Sequence, residues 1–283
     1  MPFAAHTYTL IFLGKCGLAF PPAPALCSRK SQVDCSESPP WNTTEPSFRK
    51  TTKGTAEQIL YPINILRNVA IESATTHYVL PSDIELYPSD NLAPMFIDMV
   101  LRHPMLMNAE PPKAFVVSIY EVKEGTEPPR RKSELVEMLR NETALPFHKT
   151  ICPTCHHVPK AQEWTNEAPR DPEQLNVFHV AQREGDFKNW EPIFIGTRFD
   201  PPYEETLTWE GQKDKRTQMY ALCVLGYRFL ILDNAFLVHK PGIKNYTIDT
   251  WRDGLVAEQN HYISTFLTSR LVSIYGQKEE CTI

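Results

Sequence analysis

The sequence has no long hydrophobic run, no internal repeat and no excess of basic charge. No stretch approaches the ~18–20 consecutive apolar residues that a membrane-spanning helix needs. The apolar segment 7–20 is shorter, and Lys15 interrupts it, so we expect a buried strand there rather than a signal segment. The formal net charge of −5 argues against a general nucleic-acid binder, because such proteins usually have a basic face.

Proline and cysteine are informative by their numbers. The 25 prolines in 283 residues lie well above the usual ~5% and indicate long, stiffened loops rather than a helical bundle. Prolines recur before residue 58 and break any helix. We therefore predict an irregular segment over residues 1–58 and a folded domain over residues 59–283. The seven cysteines leave at least one without an intrachain partner, and Cys27 and Cys35 could pair within the irregular segment.

Beyond residue 58 the hydrophobic pattern alternates between helices and strands. Helices are predicted near 62–75, 91–102, 134–140, 213–225 and 256–275, and strands near 77–82, 113–120, 192–196, 228–232 and 235–238. This alternation favours an α/β fold with a mainly parallel sheet covered by helices, and with sites at the carboxyl ends of strands. Ser133 is the predicted N-cap of the third helix.

The first of these helices is amphipathic by its pattern. Ile63, Leu66 and Ala70 share one face, because residues three and four apart are neighbours on a helix. Arg67 and Asn68 lie off that face. The pattern therefore predicts an apolar face directed at the core and a polar face directed away from it.

An acidic turn follows the strand near 77–82. Along an extended chain Asp83 and Glu85 lie on the same side and Ile84 faces away. Two carboxylates at the carboxyl end of a buried strand suit a divalent cation that also holds phosphate oxygens. The alternative is that both carboxylates only open a solvated turn.

A second apolar strand ends in a basic run that contains a histidine. His239 and Lys240 follow the segment 232–238, more than 150 positions after the acidic turn. His239 could bind a metal ion, or its ring could be a strand-end group hydrogen-bonded to the backbone. Lys240 could balance a diphosphate charge or be solvated.

Taken together, these motifs resemble those of glycosyltransferase family 49, which contains the beta-1,4-glucuronyltransferases and the LARGE-type enzymes of dystroglycan glycosylation. The resemblance extends from about Tyr61 to about Lys244. Its further motifs, in the expected order, are Pro146-Phe147, Cys152-Pro153-Thr154-Cys155, Trp190-Glu191-Pro192 and Pro202-Tyr203-Glu204.

This resemblance implies a GT-A-like fold and a metal-dependent, inverting transfer from a UDP-sugar, with glucuronate as the expected sugar. The acceptor would be a glycan on a secretory glycoprotein, in the Golgi lumen. Family members carry an N-terminal membrane anchor and first nucleotide-binding βα units that the sequence does not show, so we expect a chain truncated at its N-terminus. Three Asn-x-Ser/Thr sequons, at Asn42, Asn141 and Asn245, are compatible with that compartment.

The resemblance also assigns the donor side of the site. Asp83, Glu85 and His239 would hold Mn²⁺, to which one imidazole and several oxygens give an octahedral shell. Better-known members carry Asp at the position of Glu85, and the longer Glu could still reach the metal. Arg67 and Asn68 would lie near the donor, and Lys240 near its diphosphate.

The acceptor side has two candidates for the base that inverting transfer needs. Glu210 and Asp214 lie in and just after a Trp-Glu-Gly turn that precedes a helix. Both could instead serve as helix-capping and first-turn charges, and the family often has Asn near the second. Trp190 and Trp209 could stack on sugar rings or belong to the core.

The Cys-x-x-Cys-His-His motif at 152–157 has three interpretations. It matches c-type haem attachment, half of a zinc site, or a disulfide that staples a long loop. Zinc needs four ligands, and the sequence has no second Cys-x-x-Cys. The matching Cys-x-x-Cys of the resembling family favours a disulfide between Cys152 and Cys155.

Two other classes of function are compatible with the sequence. The first is a non-catalytic glycan-binding or scaffold protein on the same fold, because the first nucleotide-binding units are not visible. The second is a redox or metal module around Cys152, which a haem absorption band or bound zinc would support.

Overall fold

The computed structural model describes residues 8–13, 60–108, 110–167, 171–244 and 248–283. The chain divides into one unit made of residues 1–15 and 61–283 and a second made of residues 16–60. The predicted irregular segment 1–58 lies largely outside the described residues, as does the predicted pair of Cys27 and Cys35. A strand is present within the apolar segment 7–20, where one was expected.

The first unit is a mixed α/β structure, and most of its elements lie within a few residues of their predicted places. Its strands are β1 (Tyr8–Leu13), β2 (Tyr78–Asp83), β3 (Leu86–Pro88), β4 (Lys113–Val122), β5 (Ala144–Pro146), β6 (Val177–Ala181), β7 (Ile193–Thr197) and β8 (Arg228–His239). Its helices are α1 (Ile63–Ser73), α2 (Leu92–Arg102), α3 (Lys132–Arg140), α4 (Ala161–Asn166), α5 (Arg216–Val224), α6 (Thr250–Tyr262) and α7 (Thr268–Tyr275). Short 3₁₀ turns lie at Pro104–Met107 and Gly185–Phe187, and a π-helical turn, Ile263–Leu267, joins α6 to α7.

The sheet is mostly antiparallel, so the prediction of a mainly parallel sheet is wrong. The strand order is β1-β2-β7-β4-β8-β3, with β5 paired to β4 and β6 paired to β8. Among the described strands, only β4 and β8 pair in parallel. The error arose because β3, β5 and β6 were not predicted, and because β7 enters the sheet antiparallel between β2 and β4.

Three strands nevertheless run in the same direction. β2 is antiparallel to β7, and β7 is antiparallel to β4, which restores the direction; β4 is parallel to β8. The carboxyl ends of β2, β4 and β8 therefore point to one end of the sheet. We call this the carboxyl edge, and it is where the predicted site residues Asp83 and His239 end their strands.

The two strands predicted at 228–232 and 235–238 are one continuous strand, β8. Asn234, between the two predicted strands, has a left-handed φ of 59°, which asparagine tolerates better than most residues. The pairing of β8 with β4 shifts register between Val116 and Ser118. The polar Asp-Asn pair in the sequence thus marks an irregularity within a strand and not a reversal of the chain.

Helix α1 is oriented differently from the prediction, although Ile63 of the predicted apolar face is buried. Its buried residues include Arg67 and Asn68, whereas Leu66 is 38% and Val69 56% exposed. The polar side chains face inward because they bind the segment 203–214, which is irregular and offers hydrogen-bonding groups. Hydrophobic periodicity predicts the helix correctly. It predicts the buried face only where the helix packs against apolar residues, and α1 packs against the polar segment 203–214.

Two helices also begin at residues other than the predicted ones. α3 begins at Lys132, one residue before the predicted cap Ser133, and the carboxylate of Glu134 accepts from the backbone N–H groups of Arg130 and Arg131 at 2.8 and 3.3 Å. The last predicted helix begins earlier, at Thr250, and is divided by the π-helical turn.

The core lies on both faces of the sheet. Alternate residues of β4 face opposite sides, so Phe115, Val117 and Ile119 join one cluster with α2 while Val116 and Tyr120 join another. Trp190 is fully buried in the second cluster, so it is a core residue and not a sugar platform. Among the described residues, no helix combines the length and the apolar character needed to cross a membrane.

Two disulfides reinforce this unit. Cys152 and Cys155 are joined, which confirms the prediction for the Cys-x-x-Cys motif. A second disulfide, between Cys223 of α5 and Cys281, was not predicted, because nothing in the spacing of these two cysteines indicates a partner. It holds the end of the described chain against α5.

Replacing Cys223 and Cys281 by alanine should lower the free energy of unfolding by about 2–5 kcal/mol. Their disulfide spans 58 positions, so it restricts the unfolded chain strongly. The same change at Cys152 and Cys155, which are three positions apart, should have a smaller effect, because a shorter loop removes less entropy. Urea unfolding of the two double variants measures both, and a larger loss at the short loop would contradict this reasoning.

Candidate functional site

The carboxyl edge brings the acidic turn next to the predicted histidine. Asp83 is the last residue of β2, and the chain then passes through Ile84 and Glu85 into β3. β3 pairs antiparallel with the end of β8, so that Leu86 lies opposite His239. The short link therefore places Glu85 next to the end of β8, although the two are far apart in the sequence.

His239 contacts two oxygen atoms. Its Nε2 is 3.2 Å from Oε2 of Glu85, and its Nδ1 is 2.8 Å from the carbonyl oxygen of Lys240. Burial lowers the pKa of His239, and the charge of Lys244 acts in the same direction, against the opposing effects of Lys240 and Glu85. The ring is therefore neutral near pH 7.

A neutral imidazole has only one N–H group and cannot donate to both oxygens. If Nδ1 donates to the carbonyl oxygen of Lys240, the lone pair of Nε2 faces the carboxylate of Glu85. A cation near both atoms would relieve that contact, and a ring held through its other nitrogen by a backbone carbonyl is the usual arrangement of a metal-binding histidine. The chemistry of this pair thus fits a divalent cation.

Asp83 has a different neighbour. Its carboxylate is 38% exposed, and Oδ1 lies 3.7 Å from Nη2 of Arg67. No three His, Cys, Asp or Glu side chains in the described part of the chain are close enough together to hold a metal ion. The structure therefore unites Glu85 with His239 and places Asp83 beside Arg67, and the three-ligand Mn²⁺ site stays a prediction.

Arg67 is buried at the meeting point of α1, β2 and the segment 203–214. Its Nη1 donates to Oδ1 of Asn64 at 2.9 Å and to the carboxylate of Asp214. The guanidinium also lies 5.0 Å from the ring centroid of Tyr203. With Asp83 beside it, this one cation joins the acidic turn to the segment 203–214.

Asp214 is ionised in this arrangement. Burial by itself would raise the pKa of its carboxyl, but the charges of Lys215 and Arg67 and the hydrogen bond from Arg67 outweigh burial and lower the pKa to about 2. A carboxylate this acidic holds its partner firmly and is a weak proton acceptor.

Asn68 and Glu210 also bind backbone groups. Asn68 donates from Nδ2 to the carbonyl oxygen of Tyr203 at 2.9 Å and accepts at Oδ1 from the Tyr203 N–H at 3.0 Å. The two carboxylate oxygens of Glu210 lie 3.0 and 3.2 Å from the backbone nitrogen of Tyr61, which donates to them. Both residues therefore fasten the segment 203–214 to the region of α1.

One basic residue at the carboxyl edge, Lys244, was not predicted from the sequence. Lys240, the predicted diphosphate group, is exposed, and its backbone N–H donates to the carbonyl oxygen of Glu85 at 2.7 Å. The ammonium of Lys244 lies 3.9 Å from Oε2 of Glu85. The available signal was Pro241-Gly242, at which the chain bends directly after β8.

Histidines surround Phe147 beside His239. The ring of Phe147 stacks on His148 at 3.8 Å and lies 5.1 Å from His156 and 5.6 Å from His239. Burial, reinforced mainly by the charge of Lys244, lowers the pKa of His148 to about 4. Burial likewise lowers the pKa of His156 to about 3. Neutral imidazole rings therefore lie next to His239. In the sequence, the Phe-His and Cys-His dipeptides were the features that indicated these two histidines.

Asp214→Asn should lower the free energy of unfolding at pH 7 by at least about 2 kcal/mol. The folded carboxyl has a pKa of about 2, below the value of about 3.9 for an unfolded aspartate. Its stabilising effect is therefore present above the unfolded value and is lost as pH falls through the folded value. Urea unfolding at pH 7 and at successively lower pH should show the parent and the variant converging.

Asp98→Asn is the matched control. Asp98 pairs with Arg102 on the surface of α2, with a side chain 54% exposed, so its loss should cost less than about 0.5 kcal/mol. An equal loss in the free energy of unfolding for the two variants would contradict the importance of the buried pair of Arg67 and Asp214.

Comparison with known proteins identifies the family. The family model described as "Glycosyl-transferase for dystroglycan" matches residues 19–276. The chain is 33% identical to "Beta-1,4-glucuronyltransferase 1" of Danio rerio over 184 residues, which are 64% of this chain and 40% of the relative. It is 28% identical to "Xylosyl- and glucuronyltransferase LARGE1" of Homo sapiens over 193 residues, 68% of this chain and 24% of the relative.

A third relative, "Glycosyltransferase-like protein LARGE" of Caenorhabditis elegans, is 26% identical over 213 residues, 72% of this chain and 31% of that protein. The chain thus spans less than half the length of these relatives. Because the family model covers nearly the whole sequence, the chain belongs to glycosyltransferase family 49.

Proposed function

We propose that this chain is the core of a metal-dependent, inverting glycosyltransferase that uses a UDP-sugar. The observation that carries the proposal is the contact of Glu85 with His239 at the carboxyl edge, in a chain of a glycosyltransferase family. Relatives are named for glucuronyl transfer, so glucuronate is the proposed sugar. The proposed acceptor is a glycan on a secretory glycoprotein.

Glu85, His239 and Asp83 are the proposed ligands of Mn²⁺. His239 is oriented by the contact of its Nδ1 with the carbonyl oxygen of Lys240, and Asp83 is exposed enough to turn from Arg67 towards the edge. When bound, the metal would stabilise the negative charge that develops on the departing diphosphate.

Basic side chains beside these ligands would receive the diphosphate. Lys244 lies next to Glu85 and Arg67 next to Asp83, while Lys240 is exposed at the same end of the sheet. An ammonium or guanidinium binds phosphate oxygens strongly where water is excluded. We assign the main contact with the diphosphate to Lys244, because its ammonium group already lies beside Glu85 at the carboxyl edge.

Of the two base candidates, Glu210 suits the chemistry better. The base must take the proton of the acceptor hydroxyl while that oxygen forms a bond to the anomeric carbon and the bond to UDP breaks. Asp214 would have to leave Arg67, and its pKa of about 2 makes it a weak base. Glu210 would have to release only the amide of Tyr61.

The second candidate function is a glycan-binding or scaffold protein without turnover. It is favoured by the absence of a three-ligand metal cluster among the described residues. A purified chain that retains glycans but neither binds UDP with Mn²⁺ nor transfers sugar would support it.

The disulfides support a secretory location. Disulfides persist in oxidising compartments and are rare in the cytosol, and the chain has two among its described residues. The family of LARGE-type relatives fits the same pathway. Within that pathway, the Golgi lumen is the compartment that we propose.

Asp83→Asn should abolish Mn²⁺-dependent binding of UDP while leaving the fold intact, because a half-exposed strand-end carboxylate contributes little to packing. Titration calorimetry with UDP and Mn²⁺ measures this, and circular dichroism checks the fold. Asp98→Asn, which removes a surface carboxylate on α2, should bind as the parent does. Parent-like binding by Asp83→Asn would remove this residue from the metal site.

Glu210→Gln should reduce kcat by about 10²–10⁴-fold, the usual contribution of a general base. Donor affinity should stay near that of the parent, because the amide of glutamine can still accept from Tyr61. Mn²⁺-dependent turnover of a panel of UDP-sugars with purified protein provides the measurement. If Glu210→Gln keeps its kcat while Asp214→Asn loses it, the assignment of the two carboxylates is reversed.

A further inference from the structure

Helix α6 has no role in the proposed mechanism, yet it is attached to the turn that carries Glu210. Within the described range Thr250–Tyr262, no residue of α6 is buried. The π-helical turn and α7, which follow it, contribute Ile263, Leu267 and Leu271 to a core cluster. The contacts of α6 with the turn 208–212, which contains the Trp-Glu-Gly sequence, are polar contacts of its side chains.

Gln259 of α6 binds both ends of this turn through one amide group. Its Oε1 accepts from the N–H of Thr208 at 2.9 Å and from the hydroxyl of the same residue at 3.3 Å. Its Nε2 donates to the carbonyl oxygen of Thr208 at 3.2 Å and to that of Gln212. A side-chain amide can make these contacts because it has two acceptor lone pairs and two N–H groups. One side chain therefore fixes the two residues that flank Trp-Glu-Gly.

Arg252 of α6 binds the middle of the turn. Its Nε donates to the carbonyl oxygen of Glu210 and its Nη2 to that of Trp209, both at 3.2 Å. The guanidinium also lies 4.1 Å from the ring centroid of Trp209. Its planar fork suits two consecutive carbonyl groups. Arg252 and Gln259 are seven positions apart and thus lie on the same face of α6, so this face holds the backbone on both sides of the base candidate.

The backbone of the turn is shaped to receive Gln259. A Cβ atom at Gly211 would lie 2.3 Å from Cδ and 2.4 Å from Oε1 of Gln259, so only glycine allows the amide to approach this closely. The next two residues, Gln212 and Lys213, have left-handed φ angles of 61° and 54°. Such angles are costly for residues with side chains and persist only where the surroundings hold them. The contacts of α6 supply part of that restraint.

We propose that Gln259 and Arg252 are positioning residues that hold the turn 208–212, and so keep the carboxylate of Glu210 where an acceptor hydroxyl would give up its proton. The inference rests on the proposed function, because Glu210 is assigned there as the base. It gives α6 a part in the reaction that is exerted through the backbone of the turn, without contact with the donor.

Kinetics with purified protein, UDP-sugar and Mn²⁺ test this. Gln259→Met keeps the length of the side chain but removes its four hydrogen bonds, and Arg252→Met removes two. Each should lower kcat by about 10–10²-fold, because a small misplacement of a catalytic group costs that much. The Kd for UDP with Mn²⁺ should not change. Since kcat is taken per UDP-binding site, counted by titration calorimetry, loss of folded protein does not contribute.

Gln162→Met is the matched control. Gln162 lies on α4, and its Nε2 reaches only Asn166, at 3.4 Å, on the surface. It should keep the kcat and the Kd of the parent. A parent-like kcat for Gln259→Met and Arg252→Met, or an equal loss for Gln162→Met, would overturn the inference.

A double variant shows whether α6 acts through Glu210. If it does, Gln259→Met should reduce kcat by no more than about twofold when Glu210→Gln has already removed the base. A merely structural contribution of Gln259 would instead lower kcat by the same factor in both backgrounds. Additive losses would therefore overturn the inference.

A size exchange tests the contact with Gly211. Gly211→Ala should lower kcat, because the added Cβ displaces the amide of Gln259. In a Gln259→Ala background that amide is gone, so Gly211→Ala should reduce kcat by no more than about twofold further. An equal loss in both backgrounds would show that this contact does not position the turn and would count against the inference.

Hydrogen exchange separates this inference from the proposed function. In Gln259→Met the amide of Thr208, which donates to Gln259 in the parent, should lose protection while the amides at the centre of β4 keep theirs. Unchanged protection of Thr208 would mean that Gln259 does not hold the turn. A parent chain without turnover refutes the proposed function, and the exchange measurement, which needs no ligand, still decides whether α6 holds the turn.

Discussion

The buried guanidinium of Arg67 is the interaction on which the arrangement of this chain depends. A cation removed from water must be paired and hydrogen-bonded, or its burial is very costly. Asp214 supplies the opposite charge, Asn64 an acceptor and Tyr203 an aromatic face. These partners lie on α1 and on the segment 203–214, so the two parts must pack together. The inward polar face of α1 and its exposed apolar residues follow from this requirement.

The sheet supplies the other constraint, because it decides which strand ends meet. β7 is inserted antiparallel between β2 and β4, so both neighbours keep the direction of β8. Asp83 and His239 consequently end their strands at one edge, and the link to β3 brings Glu85 within 3.2 Å of His239. A parallel sheet is thus not needed for a site at the carboxyl ends. A set of strands that share a direction is sufficient, whether or not they are neighbours.

Local signals in the sequence predicted the elements, the acidic turn with His239 and the Cys152–Cys155 disulfide, because each depends on nearby residues or on the family resemblance. The inward polar face of α1 depends on a polar partner about 140 positions away, which periodicity cannot detect. Sheet direction is equally non-local.

At the carboxyl edge each carboxylate lies beside a basic group. The proposed reaction would use the carboxylates to hold a metal ion and basic groups to bind the diphosphate. Asp83 stands beside Arg67 and Glu85 beside Lys244, and the neutral ring of His239 lies against Glu85. If the carboxylates turn to a divalent cation, the ammonium of Lys244 loses its acidic neighbour and becomes available to an anion, while Arg67 keeps its pairing with Asp214. A diphosphate is such an anion, and its binding would in turn favour the cation. Linkage then makes the two affinities rise together, so a site built this way binds metal and nucleotide as a pair and discriminates against either one alone.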